Sequence, residues 1–299
     1  MFLYDHSSIK PLSDTAFTLF GIEVKWYGIC IVFGALVALF FGLRLARKFG
    51  LNDDIILDGF ILGMIFGIIG ARIYYVIFQW DNFKHNWTSI FAIRDGGLAI
   101  HGGIIAAAIF IVIYCKIRKI DTLVLGEIVA PSFFIGQIFG RFGNFFNQEA
   151  TGPLVGGGKL SLDEQRAVLK RQLLPDFIVN QMYITHGRDG NPVPGYYYPT
   201  FLYEALWNLV GLIIVIILRR KWKNYWVGDG ICFYFMWYSV GRFAIESLRT
   251  DSLMIGPFKQ AQVISVVLFL AGAITFALRR IYRFKPMIFS EATSKEVKE

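Results

Sequence analysis

Cysteine is scarce in this 299-residue chain, limited to Cys30, Cys115 and Cys232. The number is odd and each lies inside an apolar run, which excludes a disulfide framework and leaves buried packing as their expected role. Charge is scarce as well: Asp, Glu, Lys and Arg make up 17% of the residues. The net charge of +8 is spread as short Lys/Arg clusters between apolar spans. No soluble basic domain exists to form a nucleic-acid groove, so nucleic acid is excluded as a partner. Also missing are a His-Glu-x-x-His pair, a Cys-x-x-Cys pair, a carboxylate cluster of metal-ligand spacing and a Gly-x-Ser-x-Gly elbow. Neither a metal, another cofactor nor a serine nucleophile is implied. The opening Met1-Phe2-Leu3-Tyr4-Asp5-His6 lacks the basic flank and cleavage site of a secretory signal and is expected to be retained. There is no internal repeat and no inverted pair of broken helices, which argues against a transporter.

What the chain does have is apolar surface: 55% hydrophobic residues, 17% aromatic, with mean hydropathy +0.51. Such a composition predicts a polytopic membrane protein. Apolar windows near the roughly 20 residues a bilayer requires lie at 23–44, 56–79, 97–116, 122–141, 200–219, 228–247 and 260–280. The predicted fold is therefore an all-α integral membrane protein of seven transmembrane helices. Arg44, Arg47 and Lys48, then Lys116, Arg118 and Lys119, then Arg219, Arg220, Lys221 and Lys223, then Arg279, Arg280, Arg283 and Lys285 fall at alternate span ends. The positive-inside rule puts all four clusters in the cytoplasm, with the N-terminus outside and the C-terminus inside. On the outer side lie Lys84 and Arg94, the turn at Thr250-Asp251 and the 142–199 connection. That connection reads as a small extracytoplasmic head between helices four and five. It includes a charged stretch from Asp163 to Arg171 able to form a helix and a turn-rich run from Gly187 to Pro192. Residues 286–299 read as a flexible cytoplasmic tail of one polytopic domain, 1–299.

With that orientation the polar residues at membrane depth gather in one outer layer. Trp26 and Tyr27 open the first span, Arg72 lies in the outer half of the second, and His101 starts the third after Asp95-Gly96-Gly97. Arg141 ends the fourth, Tyr203 and Glu204 begin the fifth, and Tyr238, Arg242 and Glu246 share one face of the sixth at i, i+4, i+8. Glu127 falls near the inner end and is excluded from the site. A guanidinium in the bilayer core costs roughly 2.5–3.5 kcal/mol on insertion scales, so it needs a partner. Arg141 and Arg242 in one layer can hold a phosphodiester by charge-assisted hydrogen bonds. The plainer alternative pairs Arg242 with Glu246 and Arg141 with Glu149. Arg72 either binds headgroups or caps a neighbouring helix. An imidazole with a reference pKa near 6.5 can take the proton of a thiol near 8.5, which makes His101 a candidate base. Gly59, Gly63 and Gly67, like Gly136 and Gly140, are explained by tight helix packing.

The run Gly140-Arg141-x-Gly143-Asn144-Phe145-x-Asn147-x-Glu149-x-x-Gly152 resembles the signature of bacterial prolipoprotein diacylglyceryl transferases. It is joined in family order by Trp26-Tyr27-Gly28, Gly70-Ala71-Arg72, Gly96-Gly97 through His101-Gly102-Gly103, Leu202-Tyr203-Glu204 and Gly241-Arg242-Phe243. The resemblance implies a bacterial plasma-membrane enzyme whose site faces the outer leaflet. It would move the diacylglyceryl group of phosphatidylglycerol to the lipobox cysteine of a prolipoprotein signal peptide, releasing glycerol phosphate. By motif match, Arg141 and Arg242 would be the essential arginines, His101 the base, and Tyr27, Asn144, Glu149, Gly152 and Tyr238 supporting positions. Catalysis is accordingly expected from His101, Arg141, Arg242 and Tyr238. Substrate binding is expected from Arg141, Asn144, Tyr27, Glu149, Gly152, Glu204, Glu246 and Arg72. The family often has His-Pro before its Leu-Tyr-Glu motif, and here Tyr198-Pro199 stands there, so no role falls to a second histidine. A non-catalytic lipid-binding scaffold would need Arg141 but not His101, and a different phospholipid-dependent transferase would keep the arginines and change the acceptor.

Overall fold

The computed structural model describes residues 5–84, 86–93, 96–185, 193–249 and 254–294. The expected turns at Gly187–Pro192 and Thr250-Asp251, and the residues Arg94 and Asp95, lie outside them. A hairpin of β1 (Thr15–Leu19) and β2 (Ile22–Lys25) runs into α1 (Trp26–Lys48), followed by α2 (Asp53–Phe78), the short α3 (Trp80–Phe83), α4 (Ile100–Arg118) and α5 (Thr122–Asn147). Next come α6 (Leu162–Arg171), α7 (Asp176–Gln181), β3 (Tyr183–Ile184) and β4 (Gly195–Tyr196). The chain ends with α8 (Thr200–Lys221), α9 (Asp229–Leu248), a hairpin of β5 (Met254–Ile255) and β6 (Phe258–Lys259), α10 (Gln260–Ile281) and α11 (Phe289–Thr293).

Each apolar window coincides with one long helix. Six of them, α1, α2, α4, α5, α8 and α10, are long and apolar enough to cross a membrane. The seventh, α9, has 20 residues but carries Asp229, Arg242 and Glu246 and falls short by composition. The helices pack mainly as α1 on α5, α2 on α4 and α9 on α10, with α5 also against α8 and α9. Backbones of α2 and α4 touch at Gly70 and Gly102: a Cβ on Gly102 would sit 2.4 Å from the Gly70 carbonyl oxygen. Gly59 and Gly63 likewise admit the rings of Tyr114 and Phe110. Gly136 and Gly140 differ from the packing expectation. A Cβ on Gly136 would meet nothing within 4 Å, and one on Gly140 only Ile31, at 3.9 Å.

Helix α5 continues past 141 to Asn147, so the signature arginine and both asparagines stand on a helix and the head begins after them. The head is built on a core of Phe145, Val155, Leu169, Val179, Met182 and Tyr196, closed below by Phe201 of α8. A capping box, Ser161 with Glu164, starts α6 over the charged stretch expected to be helical. The His6 ring bridges Tyr196 and Asp163, each at 3.0 Å, and ties the N-terminal segment to the head.

At the opposite end the basic clusters have acidic partners beyond their topogenic role: Arg47 with Asp53, Arg118 with Asp58 and Lys285 with Asp121. Fully buried Glu127 accepts from Arg219 Nε (2.6 Å), the Tyr225 hydroxyl (2.8 Å) and the backbone N–H groups of Gly228 and Gly230. This is a structural lock, since an uncompensated buried carboxylate would cost several kcal/mol. Residues 286–294, expected as a loose tail, are docked here. Val227 N–H donates to the Met287 carbonyl (2.8 Å), Phe289 N–H to that of Tyr225 (2.9 Å), and the Phe289 ring meets Phe49 and Tyr225. The apolar trio Met287, Ile288 and Phe289 inside a polar tail accounts for the difference.

Candidate active site

The last turns of α5, the first turn of α8 and the last turns of α9 converge below the head, and their polar side chains join in one network. Arg141 Nη2 donates to Glu204 Oε1 at 2.7 Å and Nη1 to Asn144 Oδ1 at 3.1 Å. Arg242 reaches the other oxygen of the same carboxylate, Glu204 Oε2, at 3.4 Å, and pairs with Glu246 Oε2 at 2.7 Å. Asn144 and Asn147 each donate to Glu149 Oε1 at 3.1 Å. Glu204 and Glu246 are nearly inaccessible, whereas the two guanidinium side chains keep 19% and 14% of their surface. Both cations are therefore oriented by buried acids while still open on one side. The alternative pairing of Arg242 with Glu246 is present, but as one link of a chain that reaches Arg141. Arg141 itself pairs with Glu204 and not with Glu149.

Tyr238 lies within electrostatic range of Arg242, Glu204 and Arg141, its ring stacked 5.8 Å from Tyr234. Tyr234 in turn accepts from Gln137 Nε2 at 2.8 Å, a polar pair absent from the sequence expectations. Tyr27 faces Arg141 and Glu149 and covers Gly143, where a Cβ would fall 2.7 Å from its ring; only glycine lets the tyrosine this close to α5. Gly152, expected among the substrate-binding positions, packs closely against backbone. Its N–H donates to the Tyr198 carbonyl (2.9 Å), and a Cβ there would lie within 3.1 Å of Tyr198 and Thr200.

Arg72, expected either to bind headgroups or to cap a neighbouring helix, turns to backbone. It is buried, and all five of its N–H bonds point at carbonyls of the connection before α4: Ser89 (2.6 Å), Ile90 (2.8 Å), Ala92 (3.4 Å), Gly96 (2.8 Å) and Gly97 (2.9 Å). With its fork filled by backbone, it shapes the loop that delivers His101 and has no donor left for a headgroup. His101 itself stands one residue into α4, and its Nε2 lies 3.1 Å from Gln260 Nε2 at the start of α10. Its only other described neighbour ring is Tyr74, 6.3 Å away. The histidine is thus tied to the start of α10. Lys259, beside Gln260, donates to the carbonyls of Glu246 (2.6 Å) and Arg249 (2.9 Å) on the arginine-bearing helix. Gln260 and Lys259 were not predicted; a polar pair opening an apolar helix looks like ordinary helix flanking in one dimension.

Between the α2/α4 pair and α1/α5 runs an apolar crevice of about 350 Å³, walled by residues such as Leu39, Phe60, Met64, Phe110, Val129 and Phe133. Its two hydroxyls are turned away, Ser132 to the Ala38 carbonyl and Tyr114 to that of Ile55. The crevice lies toward the basic-cluster end of these helices, with Leu125 to Phe133 as its α5 wall; Gly136 and Gly140 come next along α5 toward Arg141, beside space that little fills. Among the described residues no group of three or more His, Cys, Asp or Glu is placed to hold a metal.

Fold and site define a membrane-embedded protein with a cationic pair set in carboxylates at the head end and a separate apolar crevice between its helices. The sequence model of the family described as prolipoprotein diacylglyceryl transferase matches residues 14–278, and the chain belongs to that family. It is 42% identical over 294 residues to the phosphatidylglycerol–prolipoprotein diacylglyceryl transferase of Listeria monocytogenes serotype 4a, covering 98% of this chain and 99% of the relative. It is 44% identical over 276 residues to that of Bacillus licheniformis, covering 92% and 95%. Against that of Staphylococcus xylosus the identity is 43% over 275 residues, or 92% of each chain.

Proposed function

We propose that the chain transfers the diacylglyceryl group of phosphatidylglycerol to the lipobox cysteine thiol of a prolipoprotein signal peptide, at the outer leaflet of the bacterial plasma membrane. The sulfur–carbon thioether bond forms as the glyceryl carbon–oxygen bond breaks, and glycerol phosphate leaves with the bonding electron pair. Negative charge therefore grows on phosphate oxygens. Preorganised guanidiniums are the groups that stabilise it. The observation that carries this assignment is the sharing of one buried carboxylate, Glu204, by Arg141 and Arg242, which aims both cations at one volume. Asn144, Glu149 and Glu246 keep that aim, and Tyr27 and Tyr238 flank it. His101 accepts the thiol proton, since the thiolate is the attacking species. The open face of α5 at Gly136 and Gly140, next to Arg141, takes the acyl chains.

Seven spans, with the head outside and both the C-terminus and the basic clusters inside, complete the reading. In support, α9 lies antiparallel along the whole of α10. Its Asp229 end meets Arg279 and Arg280, and its Glu246 end meets Lys259. A helix that parallels a span from end to end crosses the membrane with it, its three charges buried against neighbours. Purified protein incubated with phosphatidylglycerol and a lipobox peptide should add the mass of one diacylglyceryl unit to the peptide. Arg141→Ala and Arg242→Ala should each abolish that gain while still inserting in membranes, and a fully active Arg141→Ala protein would refute the clamp.

A further inference from the structure

We infer that Gln260 is a positioning residue for His101: by occupying Nε2 it leaves Nδ1 as the ring atom that meets the acceptor thiol. This rests on the reading of His101 as proton acceptor. An imidazole has two nitrogens, and a base needs one free lone pair while the other nitrogen keeps its proton. The Gln260 amide lies 3.1 Å from Nε2, so Nδ1 is the only ring nitrogen open to a second partner among the described contacts. An amide offers a donor and an acceptor on opposite arms. With its oxygen toward the ring it receives Nε2–H and fixes the tautomer whose Nδ1 is basic. The same oxygen goes on accepting when Nδ1 has taken up the thiol proton and the ring is an imidazolium. With its nitrogen toward the ring, the orientation in this structure, it donates to Nε2, and Nδ1 carries the proton until the amide turns over. Half a turn of the amide thus resets the ring.

The surroundings make this contact a fixed one. Arg72 holds five carbonyls of the preceding loop, and Ala99 N–H donates to the Ala71 carbonyl at 3.0 Å, so the turn bearing His101 is clamped to α2. Lys259 hooks the start of α10 to the end of α9. The glutamine therefore measures the ring's place against the helix that carries Arg242. Of the ring's neighbours Tyr74 from α2 is titratable; the elements packed around the contact also carry Arg72 on α2, Lys259 on the hairpin before α10, and Arg242 and Glu246 on α9.

The test uses the full-length protein with phosphatidylglycerol and a lipobox peptide, comparing Gln260→Leu, Gln260→Glu, His101→Gln and the Gln260→Leu/His101→Gln double variant. Gln260→Leu should lower kcat by roughly ten- to hundredfold, the scale of loss when the outer partner of a metal-bound histidine is removed, with KM for phosphatidylglycerol unchanged. The double variant should be no slower than His101→Gln alone, because the glutamine acts only through the ring. Gln260→Glu should stay active and move the acidic limb of its kcat–pH profile to higher pH, since a carboxylate beside the ring favours the imidazolium and the base form then appears later. Wild-type kcat in Gln260→Leu, losses that multiply in the double variant, or an unshifted profile in Gln260→Glu would each overturn the inference. If Gln260→Leu does not fold, the Gln260→Glu profile decides alone. Should His101→Gln itself keep full rate, the proton-acceptor reading falls and takes this inference with it; slow His101→Gln with normal Gln260→Leu sinks the inference only.

Discussion

Replacing Glu204 by glutamine keeps the shape of the side chain and removes the charge that both guanidiniums share. The contact to Arg141 at 2.7 Å is a full ion pair, and that to Arg242 at 3.4 Å a weaker one. At about 4 Å a charge pair is worth about 4 kcal/mol at an effective dielectric near 20. Removing one partner of a buried pair typically costs about 3–5 kcal/mol. Here the arginines are part exposed and Arg242 keeps Glu246, so the lower end, about 3 kcal/mol, is expected. A domain of this size would show it as a fall in Tm of roughly 6–12 °C. The diagnostic is what restores it. A phosphodiester seated between Arg141 and Arg242 replaces the missing anion, so short-chain phosphatidylglycerol should raise the Tm of Glu204→Gln more than that of the unsubstituted protein. Short-chain diacylglycerol, which has the same tails and no phosphate, should raise both equally. Melting curves in detergent against each lipid measure this directly. Equal gains with phosphatidylglycerol in the two proteins would mean that phosphate and Glu204 do not compete for the same cations, and the proposed clamp would be wrong.

Much of this was legible in one dimension because the bilayer simplifies the code. Windows of apolar residues found every long helix, and the positive-inside rule sorted charged ends that the structure indeed gathers at one end of the bundle. Arg141, Glu204, Arg242 and Glu246 could be placed in one layer from helix ends alone, and i, i+4 spacing offered the Arg242–Glu246 pair as the plainer alternative. What could not be read was choice of partner across helices. Nothing local tells Arg141 to take Glu204 from α8 in place of Glu149 a few residues away, and nothing in Gly70-Ala71-Arg72 says that the guanidinium turns back to a loop. Gly152 and Gly136 illustrate the same limit. A glycine in a signature can be needed for backbone packing, as at Gly152, and a glycine in an apparent packing motif can border open space, as at Gly136. The tail misled because three apolar residues, too few to register in composition, decide its docking.

Two further outcomes follow from these contacts. Gly136→Leu places a side chain in space no atom occupies and improves helix propensity by up to about 1 kcal/mol. The variant should therefore fold at least as well yet transfer long-chain diacylglyceryl groups more slowly than short-chain ones. Unchanged rates with both lipids would remove the acyl chains from this face of α5. The head should loosen in acid by a route the spans do not share. Glu164 is held below the ordinary carboxylate range by the Ser161 backbone N–H and hydroxyl, and Asp176 by Lys170. A depressed folded-state pKa contributes stability that is fully present above the unfolded value, near 4, and is lost as pH falls through the folded one. Both groups are on the surface, so the effect is modest and local. Hydrogen exchange over 160–182 should accelerate, relative to α5 and α8, as pH drops below that range once intrinsic exchange rates are divided out. Glu164→Gln and Asp176→Asn should flatten the response, because neither amide can be protonated; a response that survives both substitutions would show that other groups in the head carry it.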